Sequence, residues 1–167
     1  MKRIVLIVLS SLFLFSCGGD KKKEIQVETE TADQYAVIID AIYEKDDSLA
    51  VVYKKDGYYV EKPTSLIVKG SPLMQRLTVD LPKGEPVENL SITLSSNKDQ
   101  EFLTIKAVSV KNGDKTIISD KDNFTTYFLF NESISWDIKT SRYILTHDKE
   151  FQPGIGGSDK LEAELTK

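Results

Sequence analysis

Leu73-Met74-Gln75-Arg76-Leu77-Thr78-Val79-Asp80-Leu81 decides the fold. Leu73, Leu77, Val79 and Leu81 share one face with Gln75, while Met74, Arg76, Thr78 and Asp80 share the other. Apolar and polar residues alternate with period two, the signature of a half-buried β-strand. Pro82-Lys83-Gly84-Glu85-Pro86 breaks the segment with a loop. Leu90, Ile92 and Leu94 then alternate with Ser91, Thr93 and Ser95, again one buried and one wet face.

Working outward, the same texture recurs. Tyr35-Ala36-Val37-Ile38-Ile39-Asp40-Ala41-Ile42 is a β-branched run too apolar for an exposed edge. Leu49 to Lys54 and Tyr58 to Lys62 flank Lys55-Asp56-Gly57, where Asp-Gly predicts a tight hairpin turn. Leu66 to Lys69 follows Pro63 and stops at Gly70-Ser71-Pro72. Leu103, Ile105 and Ala107 share a face, but the apolar residues then switch parity to Val108 and Val110, which predicts a β-bulge. Asn112-Gly113 is a second hairpin turn, returning through Lys115 to Ile118.

Phe124, Tyr127 and Phe128 stand at helical spacing behind Asp122 and Asn123, either of which can cap a short helix there. Ser133 to Lys139 and Tyr143 to His147 form a strand pair around Thr140-Ser141. The stretch 151–157, with Pro153, Gly154, Gly156 and Gly157, reads as loop. In the tail, Leu161, Ala163 and Leu165 alternate and favour a closing strand, although Leu161 and Leu165 also fit one helical turn. The sum is an all-β chain of about nine or ten short strands with one short helix. An antiparallel β-sandwich of jelly-roll type fits, with a closed barrel as the alternative; the recurrent wet face favours two stacked sheets.

The N-terminus carries a different signal. Lys2 and Arg3 precede an apolar run from Ile4 to Phe15, which is too short for the ~20 residues a spanning helix needs. A basic start, an apolar stretch and a small residue at the break are the marks of an export signal. Leu14-Phe15-Ser16-Cys17 resembles the lipobox of bacterial lipoproteins, with Phe15 larger than the residue most common at its position. The resemblance implies cleavage after residue 16, a diacylglyceryl group on the Cys17 thiol and acylation of its new amino terminus. Stable anchoring takes more than one acyl chain, and this modification supplies that. The implied organisation is a signal peptide at 1–16, a lipidated Cys17 and flexible tether at 17–33, and a sandwich at 34–167. The tether holds only Ile25 and Val27 as aliphatics among lysines, glutamates and threonines, too little apolar surface to offset ordering. The implied location is the bacterial cell envelope, periplasmic or surface-exposed. The outer membrane is favoured over the inner because Gly18 is not the aspartate that retains many lipoproteins at the inner one.

Composition limits the chemistry. Cys17 is the only cysteine, so its acylation leaves no thiol for a disulfide, a zinc site or a nucleophile. Loss of Lys2 and Arg3 moves the formal charge from −4 to −6, which argues against nucleic acid as a partner. His147 is the only histidine; it has Asp148 beside it in sequence, but strand neighbours point to opposite faces. Gly154-Ile155-Gly156-Gly157 lacks the lysine and helix of a phosphate-binding loop. Glu101, Glu132, Asp137 and Glu150 could supply a pair of facing carboxylates only by coincidence of folding. No cofactor is implied.

Two candidate binding features remain. Asp120, Asp122 and Asn123 place oxygen ligands at the start of a calcium-loop pattern, but without its glycine turn and distal glutamate; a capping loop is the alternative to a structural calcium. Trp136, Tyr58 and Tyr59 are the aromatics suited to stacking on a sugar ring. Trp136 shares its face with Ile134 and Ile138, which points it to the core; Tyr58 and Tyr59 point oppositely, which leaves one facing solvent.

The stretches 69–82, 90–100, 128–137 and 151–153 together are similar to extracytoplasmic β-sandwich modules resembling carbohydrate-binding modules of bacterial envelope proteins. That similarity implies a jelly-roll body without activity of its own and carries no ligand residues with it. The expected protein is a non-catalytic, lipid-anchored sandwich that binds a glycan or an envelope protein partner. The alternative is a structural or accessory subunit of a membrane complex with no small-molecule ligand.

Overall fold

The computed structural model describes residues 33–167. The signal, Cys17 and nearly all of the tether lie outside the described residues.

Among the described residues twelve strands form two six-stranded antiparallel sheets, with one α-helix and one 3₁₀ turn. The strands are β1 (Tyr35–Ile42), β2 (Asp47–Lys55), β3 (Tyr58–Tyr59), β4 (Thr64–Val68), β5 (Gln75–Asp80) and β6 (Asn89–Thr93). They continue with β7 (Phe102–Asn112), β8 (Lys115–Ile118), β9 (Phe128–Phe130), β10 (Ile134–Asp137), β11 (Arg142–Leu145) and β12 (Gly154–Gly157). Helix α1 spans Asp159–Leu165 and the 3₁₀ turn Phe124–Thr126. Sheet I runs β10-β11-β7-β1-β5, with β8 also on β7; sheet II runs β3-β2-β6-β12-β9, with β4 also on β2. This is an antiparallel β-sandwich.

Alternation drives the packing. Val37, Ile39 and Ala41 of β1 join Leu103 of the neighbouring β7 in one core with Leu49 and Val51 of β2 and Leu90 and Ile92 of β6. As its apolar composition requires, β1 is an inner strand, paired with both β5 and β7. A bulge is present, slightly earlier than the parity switch suggests: Asp40 pairs with Ala107 and Ala41 with Ile105, which leaves Lys106 as the extra residue and takes Ala107 off the face of Ile105. Asp56 and Gly57 both take positive φ (52° and 82°), the conformation of a type I′ turn, so Lys55 pairs directly with Tyr58. Leu73 departs from expectation. It is exposed, because β5 begins only at Gln75.

Two segments correct the sequence-based strand count and tail assignment. The stretch 151–157 is not all loop: β12 lies between β6 and β9 inside sheet II. Its glycines suit the place because a Cβ at Gly154 would sit 2.7 Å from the Ile92 carbonyl oxygen, and one at Gly157 would collide with the Asn89 side chain and Leu161. Ile155, the one residue with a side chain, fills the core. The tail is the helix α1, not a closing strand. Leu161 and Leu165, four apart, are both buried, while Ala163 between them is exposed, as helical spacing demands and period two forbids. Asp159 and Glu162 lie in the first turn, where carboxylates suit the helix dipole. Among the described residues no helix is long and apolar enough to cross a membrane.

Candidate functional site

Trp136 is not a core residue. It keeps the face of Ile134, which is buried, but it is 52% exposed, and Ile138 is more exposed still. The cause is where the facing sheet stops. Sheet I extends to β11 and β10, whereas sheet II ends at the three-residue strand β9. The inner face of β10 and β11 therefore runs past its cover. Trp136 pairs across the strands with Tyr143, their rings 4.8 Å apart and edge-on at 65°. Tyr143 in turn meets Phe130 of β9 at 4.7 Å, and Phe130 meets Phe124 at 6.1 Å. Phe130, Ile134, Ser135, Trp136 and Tyr143 line a cleft of about 280 Å³ at this open seam. Partial burial raises the Tyr143 phenol pKa, which keeps it a neutral hydroxyl beside the ring face. Such a wall presents apolar ring faces with polar edges, the combination that holds a ligand having both apolar C–H and hydroxyl surface.

Tyr58 and Tyr59 are both exposed, not one of the two. They sit in the two-residue strand β3, at one edge of sheet II, whereas Trp136 sits on β10, at the edge of sheet I. Burial raises the Tyr59 phenol pKa, and Lys54 opposes part of that rise.

The outer face of sheet II holds an arrangement that composition alone did not single out. Leu49, Val51, Leu90, Ile92 and Ile155 point inward, so the alternate residues share the outer side. Register places Ala50, Thr93 and Gly154 in one row and Val52, Ser91, Gly156 and Leu129 in the next. These small side chains floor two clefts of about 330 and 280 Å³ that share Ser91, Thr93 and Gln152. Asn131 holds one rim: its side chain donates to the Gln152 carbonyl and accepts from the Ser133 and Gly154 N–H groups. A cluster of alternating Ser, Thr and Gly in adjacent strands was the available signal, but it required the register of β12, a segment read as loop.

Asp120, Asp122 and Asn123 are engaged with three different partners. Asp120 meets Arg76 Nη2 at 3.2 Å. Asp122 accepts from the Ser119 N–H and hydroxyl, which hold its carboxyl below the usual aspartate range. Asn123 caps the 3₁₀ turn by accepting the Thr125 N–H, as its position ahead of Phe124 predicts. Among the described residues no group of three or more His, Cys, Asp or Glu is arranged to hold a metal.

His147 has a partner that sequence did not foresee. Its Nε2 lies 3.0 Å from Ser95 Oγ, and Ser95 Oγ donates to Asp47 Oδ2 at 2.5 Å. The order of this chain matters. A serine hydroxyl activated by histidine gives its proton to the imidazole, with the acid behind the histidine. Here the hydroxyl proton points to Asp47, so Nε2 is the donor to Oγ, and Ser95 is fully buried. Asp47 also accepts the N–H groups of Ser48, Ser96 and Asn97. The cluster thus ties the first residue of β2 to the loop after β6. Its polarity is that of a structural clamp.

Compared with family models, with curated proteins and with solved structures, the chain matches none of them.

Proposed function

We propose that this chain is a non-catalytic, lipid-anchored protein of the bacterial envelope whose sandwich binds a glycan at the Trp136–Tyr143 cleft. The observation that carries the proposal is Trp136 itself: a half-exposed indole, set by its cross-strand tyrosine into the wall of a cleft that Phe130 closes. An exposed tryptophan forfeits the stabilisation of its large apolar surface unless something covers it. Pyranose rings have flat C–H faces that match such a wall. Cys17 would supply the membrane attachment through its acyl chains, with the 17–33 tether between lipid and sandwich. The jelly-roll assignment belongs to the same proposal, supported by a chain that crosses between the sheets after β1, β4, β5, β6, β8, β9 and β11.

A glycan array probed with the full chain tests the binding. The expected result is a hit set that disappears in Trp136→Ala; silence across envelope and dietary glycans would overturn it. Cys17→Ser should release the protein from membranes and abolish acyl labelling, and unchanged attachment would overturn the anchor.

One observation favours the structural-subunit alternative. Leu129 and Phe151 stand exposed beside the small-residue outer face of sheet II, a surface on which a second protein could lie flat. A photo-crosslinker at Thr93 in living cells separates the two: a single protein adduct in high yield supports the subunit, and none supports the glycan.

A further inference from the structure

The outer face of sheet I is built differently. β8 and β5 lie on opposite sides of the β7–β1 pair, yet Asp120, just after β8, reaches Arg76 of β5. Ser119 and Asp120, joined to the Arg76 side chain, therefore strap across the outside of β7 and β1. Between strap and sheet lies a cleft of about 470 Å³, within the ~300–1,000 Å³ range of small-molecule sites. Ile38 and Ser109 form its floor, Arg76, Lys111 and Thr116 its walls, and Ser119 and Asp120 its cover.

Ser109 is the unusual member. Val108 and Val110 on either side fill the core, so Ser109 points outward, into the cleft. It is only 3% exposed, and its hydroxyl has no hydrogen-bond partner among the described residues. A buried hydroxyl without a partner is costly and is rarely retained without a use.

We propose that this cleft binds one neutral polyhydroxylated unit, a monosaccharide ring or polyol, with Ser109 bonded to a ligand hydroxyl. The lining selects that class. Arg76 and Lys111 only donate, Asp120 only accepts, and the hydroxyls of Ser109 and Thr116 do both. A polyol offers donors and acceptors side by side to match them. Charge disfavours the other candidates. A metal ion would face Arg76 and Lys111, while a phosphate would face Asp120 and also Asp40, which lies 3.4 Å from Arg76 Nε. Ile38 gives the C–H face of a ring an apolar seat. The ligand class rests on the glycan proposal above, but no residue of the Trp136 cleft takes part.

The test uses the full chain, isotope-labelled, in a zwitterionic detergent free of sugar. Methyl glucoside and mannitol are the neutral probes; glucuronate and inorganic phosphate are the charged ones. The neutral probes should shift the amides of Ile38, Ser109, Thr116 and Ser119 with Kd near 1 mM, on the order of a weak small-ligand site. Ser109→Ala should weaken this binding at least tenfold while leaving the unliganded Tm unchanged or higher. Thr116→Ala, at an exposed position, should weaken it severalfold with the fold intact, and Trp136→Ala should leave it alone. Shifts at Ser109 that survive Trp136→Ala support this site even if the glycan array is silent. Shifts confined to the Trp136 cleft, no saturable shift up to roughly 50 mM, or preference for phosphate or glucuronate would each overturn the proposal. So would a lowered unliganded Tm in Ser109→Ala, which would mean that the hydroxyl serves the fold.

Discussion

The outer faces of the two sheets differ in what covers them. Sheet II presents Ala50, Ser91, Thr93 and Gly156, small, uncharged and partly exposed, to solvent. Sheet I presents Asp40, Arg76 and Lys111 beneath a strap. Both faces belong to antiparallel strands over one core, and their inner sides are equally apolar. Folding therefore dictates the inner faces and leaves the outer ones free. A strand that lost its outward side chains, as β12 has, gains nothing for the core, and an outward serine that is nonetheless buried gains nothing either. Such departures from a plain polar exterior are where function is to be sought.

Sheet II can be probed within a single strand. Gly154→Ala would push a Cβ to 2.7 Å from the Ile92 carbonyl, a backbone atom that cannot yield without moving β6. The expected loss is about 2–3 kcal/mol in denaturant unfolding. Gly156→Ala meets nothing within 4 Å and should change stability by less than ~0.5 kcal/mol. A large cost at Gly156 would mean that the face is covered, and the contrast between the sheets would collapse.

Asn131→Ala comes next. Its amide fastens the rim of the same face through the Gln152 carbonyl and two N–H groups. Removing it should cost about 1–2 kcal/mol. Hydrogen exchange should speed up at Ser133 and Gly154 and leave the strap unchanged. Faster exchange at Ser119 as well would show that the two faces are coupled.

Much of this body was legible in the sequence. Period-two alternation located β5 and β6, a β-branched run located β1, and Asp56-Gly57 set its hairpin, because these signals are local. The second hairpin turns one residue later than expected, on Gly113-Asp114, with Asn112 still paired to Lys115. The parity switch announced a bulge, although its extra residue is Lys106, ahead of Ala107. What escaped depends on distant partners. Glycines in β12 read as loop because a strand with almost no side chains is recognisable only by the neighbours that tolerate no Cβ. Leu161 and Leu165 allowed either strand or helix, and only exposed Ala163 distinguishes them. Trp136 was placed on the right face and given the wrong burial, since its exposure is set by where β9 ends. His147 and Ser95, 52 residues apart, could not be paired from spacing. Likewise, Ser109 reads as an ordinary wet-face residue until the strap over it is seen.

The smallest effect concerns the strap. Asp122 holds it by accepting the Ser119 N–H first and the Ser119 hydroxyl second, with Lys160 adding a weaker attraction. Its carboxyl is therefore held below the usual value, so the ionised form is favoured in the folded chain. A carboxyl of this kind contributes stability that is present above its unfolded value, near ~4, and is lost as pH falls through its folded value. Global unfolding should hardly register this, because the group is exposed. Local order should. Amide exchange at Ser119, corrected for its intrinsic pH dependence, should lose protection as pH falls below about 4, and Asp122→Asn should show the loosened strap already at neutral pH. Amides of Ser91 and Thr93, on the face without a strap, should keep their protection across the same range. Equal loosening on both faces would mean that acid acts on the whole sandwich and that the strap is no separate element.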